Sequence, residues 1–347
     1  MAPVRNGRHT FAEIPTDAGL IAPGKHLKYD DSQTIDLDNV PLGGGFLIKT
    51  LVLSVDPYMR WRMREAHIPS YSPAFEIGKP LNGHGVGVVT RSETPDMQPG
   101  DHLYGPGFLH QEYFVAKDPK EYERIVNEIG VPWSLYVGVL GMPGQTAWFA
   151  WKEFSKVKKG QTVFISAVAG AVGNVVAQLA KLDGMKVIGS TGSDEKVMYA
   201  RSLGVDVAFN YKKESTEEIL KREGPIDIYW DNVGGEALDL ALKYASDGAQ
   251  FIECGLTSIY NNESQAYPYQ NMFSIVANQI SIHGFRVGAL ASKWAELYYR
   301  EVPRLLKDGK LKPEEDRSYG LENVGEAFLQ ISTGDNKGKK VVIVAED

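Results

Sequence analysis

The segment Ser166-Ala-Val-Ala-Gly170-Ala-Val-Gly173 follows an apolar run, Thr162-Val-Phe-Ile-Ser166, and precedes Asn174–Leu182, whose apolar residues recur at helical spacing. A glycine-bearing turn from strand into helix can seat a pyrophosphate. Glycines let the backbone approach the anion, and the helix N-terminus offers N–H groups and the positive end of its dipole. Gly170 and Gly173 take the second and third glycine positions of the dinucleotide fingerprint, with Ala171 and Val172 between them, while Val168 stands where the first glycine is usual. The expected ligand is a dinucleotide.

The end of the next strand selects which one. Readers of an unphosphorylated ribose place a carboxylate about 20 residues beyond the glycine turn, to hold the 2′-hydroxyl. Here Lys186-Val-Ile-Gly-Ser-Thr191 runs into the small, neutral Gly192-Ser193. Asp194 and Glu195 come later and read as first-turn helix acids. Lys196 follows, either as a reader of a 2′-phosphate or as a solvated helix cation. The missing carboxylate points to NADPH. Two further strand ends on the same sheet edge, Asp231-Asn232-Val-Gly-Gly235 and Cys254-Gly255-Leu-Thr257-Ser-Ile-Tyr260, carry Asn232 and Thr257. Either can bond ribose or amide groups, or serve turn chemistry alone.

Metal is not expected. Cys254 is the single cysteine, so a four-cysteine zinc site and an intrachain disulfide are both excluded. His84, in Gly83-His84-Gly85, reads as a strand or turn residue, and no histidine has a ligand partner at short spacing.

The elements that must position these residues fall into two classes. Residues 1 to about 135 show short apolar runs, among them Phe46–Val55, Gly85–Val89 and Glu112–Ala116, between Gly/Pro turns, as in a barrel or folded sheet. After about residue 136, strands and helices alternate: strands at 162–166, 186–191, 207–210, 226–230 and 249–253, and helices at 174–182, 194–203, 216–221 and 237–245. That alternation predicts βαβ units and a parallel sheet, hence an α/β fold. Trp294–Leu306 reads as helix, with Pro303 marking a kink or a fresh start, and Lys340–Ala345 is a strand that can return to the first domain.

With 347 residues, 43% hydrophobic and 23% charged, the chain has globular composition and length for two domains. A net charge of −7 argues against a broad nucleic-acid-binding face. Residues 1–15 lack the apolar core of a signal peptide, and no apolar run approaches the ~20 residues of a membrane span, so a cytoplasmic protein is expected.

The residues resemble a family. Asp56-Pro-Tyr-Met-Arg60, Gly141-Met-Pro-Gly144 with Thr146, Ala167–Gly173, Gly192–Lys196, Phe209-Asn-Tyr211, Asp231–Gly235, Cys254-Gly255 with Tyr260, and Gly334-Asp-Asn336 with Gly338-Lys339 stand in its order along nearly the whole chain. The chain resembles the zinc-independent medium-chain dehydrogenase/reductases, and within them the prostaglandin reductase (leukotriene B4 12-hydroxydehydrogenase) and alkenal double-bond reductase group. The resemblance implies a Rossmann parallel-sheet domain, residues 136–304, inserted in a GroES-like, partly barrelled, β-rich catalytic domain, residues 1–135 plus 305–347. It implies that Gly170–Gly173 cradle the pyrophosphate of NADPH and that Lys196 and Tyr211 hold the 2′-phosphate. Asn232 and Cys254–Tyr260, including Gly255 and Thr257, would line the rest of the cofactor. Phe285, Arg286 and Val287 would pass beside the nicotinamide, and Asn336 would reach it from the C-terminal segment. Val168 and Arg286 depart from the residues most common there. Pro57, Tyr58 and Met142 would border the substrate, and the protein would be a homodimer.

An enone or enal suits a site without metal. Hydride adds at the β carbon while negative charge gathers on the carbonyl oxygen, so placement and a hydrogen-bond donor at that oxygen suffice. A tyrosine hydroxyl is a neutral donor at pH 7. Motif position, rather than residue type, singles out Tyr260 and Tyr58 among 17 tyrosines as the catalytic candidates. The rival readings are an NADP-dependent secondary-alcohol dehydrogenase and a non-catalytic, crystallin-like NADPH-binding protein. The polar segment from Tyr260 to Phe273 is either a pocket cover or a surface loop.

Overall fold

In the computed structural model, residues 2–15, 19–261 and 267–347 are described, so part of the Tyr260–Phe273 segment lies outside them. The first part of the chain forms β1 (Val4–Arg5), β2 (Arg8–Phe11), β3 (Leu27–Asp30), β4 (Thr34–Ile35), β5 (Phe46–Ser54), β6 (Asn82–Ser92), β7 (His102–Leu109), β8 (Tyr113–Ala116) and β9 (Glu123–Ile125). Then come α1 (Met142–Phe154), β10 (Thr162–Ile165), α2 (Gly173–Leu182), β11 (Lys186–Thr191), α3 (Asp194–Ser202), β12 (Val207–Asn210), α4 (Thr216–Glu223), β13 (Ile226–Asp231) and α5 (Gly235–Lys243). The chain continues through β14 (Ala245–Glu253), α6 (Ser274–Ala277), β15 (Ser281–Gly284) and α7 (Val287–Lys307). It ends with β16 (Glu315–Tyr319), α8 (Val324–Thr333) and β17 (Lys339–Ile343).

Two compact units result: Met1–Gly138 with Glu315–Asn336 and Lys340–Asp347, and Val139–Glu314 with Lys337–Lys339. The boundary expected between residues 304 and 305 falls inside α7, which runs unbroken through Pro303. No new helix starts there. The proline's missing N–H forfeits only one rung of a 21-residue helix.

In the first unit β5 is the trunk. Its run Phe-Leu-Ile-Lys-Thr-Leu-Val-Leu-Ser is buried along nearly its whole length, as a strand covered on both faces must be. One edge of β5 pairs antiparallel with β6. The other is shared, Phe46–Lys49 pairing with β8 and Val52–Ser54 with β17. The sheet runs β16-β17-β5-β6-β7-β9 and does not close into a barrel, because its terminal strands do not pair with one another among the described residues. Phe11, Phe46, Phe108, Met59, Leu321 and Phe328 are among the residues of its main core.

The second unit is built on a six-stranded parallel sheet, ordered β12-β11-β10-β13-β14-β15. The order reverses direction between β10 and β13, and ligands of open α/β sheets bind beyond the C-terminal strand ends at such a switch point. Aromatic rings cross the sheet beneath it: Phe164 lies 6.4 Å from Phe209 and 5.2 Å from Tyr229, which lies 5.3 Å from Phe251. Each such ring, fully buried, contributes about 1.5–3 kcal/mol of burial free energy and fixes the register of the strand that carries it. Among the described residues no helix is long and apolar enough to cross a membrane.

Candidate cofactor site and active site

The turn after β10 is shaped by close packing. Ala167 takes a left-handed conformation (φ 49°), which turns the chain sharply out of the strand. Val168 is fully buried, and its N–H donates to the Ser190 carbonyl of β11 at 3.0 Å. A Cβ on Gly173 would lie 2.5 Å from the Ala167 carbonyl oxygen, so only glycine lets α2 start this close to the turn. At Gly170, by contrast, a Cβ would meet only that oxygen, at 3.3 Å, and is otherwise in open space. No side chain caps the start of α2. Asn174, which the motif reading passed over, donates from its amide to the carbonyls of Gly170 (2.7 Å) and Ala171 (3.2 Å), while its Oδ1 is buried with no partner. Carbonyls are thus tied down, and an uncapped helix N-terminus beside an open glycine can take an anion.

At the end of β11 both acids are engaged. Asp194 accepts from the Asn210 amide at 2.8 Å and pairs with Lys213 at 2.5 Å, and these two partners hold its carboxyl below the usual carboxylate range. Glu195 pairs with Lys337 at 3.1 Å, and Lys337 also reaches Glu314 at 3.1 Å. Next to Lys337, the Gly338 N–H donates to the Ala169 carbonyl at 2.9 Å, bringing the C-terminal segment onto the glycine turn. Ser193 caps α3 by accepting from the Lys196 N–H at 3.3 Å, which leaves the half-buried Lys196 side chain one turn into the helix. Tyr211 hooks onto this strand end through its N–H to the Thr191 carbonyl (3.1 Å). Its exposed ring brings the hydroxyl within 3.3 Å of where a Gly192 Cβ would lie, with the Lys212 side chain at 3.6 Å. Tyr211 and Lys212 therefore flank Gly192, and Lys196 follows it one turn into α3.

Asn232 behaves as a brace. Its amide donates to the Ser166 carbonyl at 2.6 Å, its Oδ1 accepts from the Trp230 indole at 3.1 Å, and its N–H donates to Ser166 Oγ at 2.9 Å. The β13 and β14 turns are bonded together: the N–H groups of Cys254 and Gly255 donate to the Asp231 carbonyl, and that of Thr257 to the Asn232 carbonyl. Tyr260, half-buried, ends a short 3-10 turn over Thr257–Ile259 and folds back so that its hydroxyl lies 3.3 Å from a Cβ position on Gly255. Burial beside Asp231 and Glu253 pushes the Cys254 thiol up to about 12. Phe285 packs against Phe154 and Trp230, Arg286 is exposed at the cap of α7, and Val287 begins that helix.

In the first unit Pro57 and Tyr58 open a 3-10 turn, Pro57–Arg62. Burial first, and Asp56 next, raise the Tyr58 hydroxyl well above the ordinary tyrosine range, so it keeps its proton. Arg62 pins the surrounding loop, donating to the Pro73 carbonyl (3.0 Å) and to the Asn82 carbonyl and side chain (2.6 Å each). Met142 belongs to the second unit, at the start of α1, and Asn336 to the first. His84 lies against Tyr104, ring centroids 5.7 Å apart. Among the described residues no group of three or more His, Cys, Asp or Glu is arranged to hold a metal ion.

Residues 171–302 match the family described as zinc-binding dehydrogenase, and residues 31–125 the N-terminal domain of oxidoreductase. The chain is 41% identical to the NADP-dependent oxidoreductase RED1 of Cochliobolus heterostrophus over 91% of this chain and 92% of that one. It belongs to the zinc-independent medium-chain dehydrogenase/reductases. The zinc in the first family's description does not conflict with this, since the match lies in the nucleotide-binding half. The 2-alkenal reductase (NADP(+)-dependent) of Nicotiana tabacum is 40% identical over 89% of this chain and 90% of its own. Among solved structures, CurA of Vibrio vulnificus in complex with NADPH is similar at 29% identity and a TM-score of 0.86, covering 98% of this chain and 100% of that one.

Proposed function

We propose that this family member uses NADPH to reduce the carbon–carbon double bond of α,β-unsaturated ketones and aldehydes. It is an NADP-dependent oxidoreductase of the alkenal and enone reductase type. One observation carries the cofactor reading: Asp194, the acid nearest the end of β11, is already bonded to Asn210 and Lys213, while Tyr211 and Lys212 stand at Gly192 and Lys196 lies one turn into α3. The two acids that follow β11 are each paired with a lysine, and a 2′-phosphate finds donors there. The similarity to a tobacco 2-alkenal reductase supports the substrate class.

When bound, NADPH supplies the hydride. In this reading Gly170–Gly173 cradle the pyrophosphate, and Lys196 and Tyr211 hold the 2′-phosphate. The segment Cys254–Tyr260, Asn232 and Phe285–Val287 line the nicotinamide half, with Asn336 closing from the C-terminal side. Pro57, Tyr58 and Met142 border the substrate. The hydroxyl of Tyr260 is the leading donor to the substrate carbonyl oxygen as negative charge gathers on it, and Tyr58 is a pocket residue that assists.

We propose further that the protein is a homodimer joined through the second unit. Among the described residues its edge strand β15 pairs only with β14 and carries the exposed Ile282, with Met272, Phe273 and Val276 exposed on the segment before it. Uncovered edges and apolar patches of this kind are aggregation hazards unless a partner covers them.

The test is a panel of enals, cyclic and aromatic enones, a saturated ketone and a secondary alcohol, assayed with NADPH or NADP+ after chelation of metals. Oxidation of NADPH by enones is expected. Turnover confined to the secondary alcohol, NADPH binding without any turnover, or a requirement for zinc would overturn the reading.

A further inference from the structure

The C-terminal ends of β13 and β14 each carry an acid, Asp231 and Glu253, which are register partners on adjacent parallel strands. Side chains of register partners rise on the same face of a sheet. Asp231 is fully buried, and Oδ2 of Asp231 and Oε1 of Glu253 are both buried with no donor reaching either. The other Asp231 oxygen, Oδ1, is saturated. It accepts from Ser166 Oγ at 3.0 Å, and from the Tyr229 hydroxyl and the N–H groups of Val233 and Gly234 at 2.8 Å each.

Two ionised carboxylates repel each other in such a site, because each can only accept and no basic side chain among the described residues bonds either. One proton resolves the conflict: a neutral carboxyl donates its O–H to the facing oxygen. Four donors stabilise charge on Asp231 and none of those four serves Glu253, so the proton resides on Glu253. Burial, followed by the charge of Asp231, raises the Glu253 carboxyl to about 9. The titratable groups facing it among the described residues are Asp231 and Tyr229 on β13, Cys254 beside it, and Tyr269 from the segment that follows.

Asp231 is also the root of the two turns that end β13 and β14. Its carbonyl takes the N–H groups of Cys254 (2.9 Å) and Gly255 (3.1 Å), and Ser258 Oγ donates to the Val233 carbonyl at 2.6 Å. We propose that Glu253 is a protonated positioning residue, whose O–H to Asp231 holds the Asp231–Gly235 and Cys254–Tyr260 turns in the shape that receives the nicotinamide half of the cofactor. Ionisation of Glu253 sets a second negative charge against Asp231 and loosens both turns together. The inference rests on the nucleotide reading given above, and adds that cofactor binding is lost at alkaline pH through this pair.

Three measurements on the full chain test it. Infrared spectra of the unliganded protein at about pH 8 should contain a protonated carboxylic-acid band that Glu253→Gln removes. The unfolding temperature of the unliganded wild type should fall between about pH 7 and pH 9, since the unfolded state releases a proton that the folded state keeps; in Glu253→Gln, whose amide still donates but does not titrate, this slope should vanish. The dissociation constant for NADPH, read by nucleotide fluorescence, should rise about tenfold per pH unit above about pH 9 in wild type and stay level in Glu253→Gln. Glu253→Leu, which leaves Asp231 Oδ2 without a donor, should bind NADPH weakly at neutral pH. Absence of the acid band, or the wild-type slopes persisting in Glu253→Gln, overturns the proposal. Failure of the wild type to bind NADPH at every pH removes the nucleotide reading instead, and the band and the unfolding slope then judge the pair by themselves.

Discussion

Val168 fills the room that a side chain on Gly189 would need: a Cβ at Gly189 would lie 2.7–2.9 Å from the Cβ and both Cγ atoms of Val168. The bulk that departs from the glycine fingerprint in the β10 turn is thus accommodated by a missing side chain on β11, and the turn keeps its path. Gly189→Ala should lower stability by about 1–3 kcal/mol, as overpacking a tight core does. Adding Val168→Gly should recover most of that loss. A thermal-unfolding double-mutant cycle reads the coupling, and additive effects would refute it.

Lys196→Ala should raise KM for NADPH by about tenfold or more, the scale of one lost charge-assisted contact, and change KM for NADH little. Equal changes for both nucleotides would show that Lys196 does not read the 2′-phosphate.

Tyr260→Phe should lower kcat on an enone by about tenfold or more with a smaller effect on KM, as loss of a donor to a developing oxyanion does. Unchanged turnover would exclude Tyr260 from the chemistry and leave Tyr58 as the candidate, to be judged by Tyr58→Phe in the same assay.

In the first unit burial lowers His9 to about 4, partly offset by its contact with the Glu322 carbonyl, and lowers His110 to about 3, with His9 and Arg62 adding to the shift. Neither ring nitrogen of His110 has a partner. Both rings stay neutral in the folded state while the unfolded chain takes up protons below about pH 6.5. Stability should therefore be full above that pH and fall as acid is added, by about 1.4 kcal/mol per pH unit for each histidine. Unfolding followed between about pH 7 and pH 5 should show the slope reduced in His110→Leu.

What was legible in the sequence was local. Strands β11 and β12 end where the apolar runs end, and the turns holding Gly170, Lys196, Tyr211, Asn232 and Tyr260 follow strands at the expected places. Helix α1 was not legible, because Trp148, Phe149 and Trp151 are all buried and no polar face marks the helical period. Strand β15 escaped because Ser-Ile-His-Gly at a sheet edge has only one apolar residue. Relationships set by register lie further out of reach. Val168 against Gly189, and Asp231 against Glu253, become neighbours only once strands are aligned, and no spacing along the chain encodes that alignment. Asn232 shows the same limit: its type suggested ligand or turn chemistry equally, and its bonds to Ser166 and Trp230 make it a brace.

The capture of Asp194 by Asn210 and Lys213 also bears on attempts to re-engineer coenzyme preference. Freeing that acid by replacing Lys213 would still leave it tethered to Asn210. A variant suited to the cheaper, unphosphorylated coenzyme must instead install a new acid at Gly192 or Ser193, and the Gly192 position lies against the Tyr211 hydroxyl. An acid at Gly192 therefore displaces the exposed Tyr211 hydroxyl, whereas one at Ser193 replaces the cap of α3.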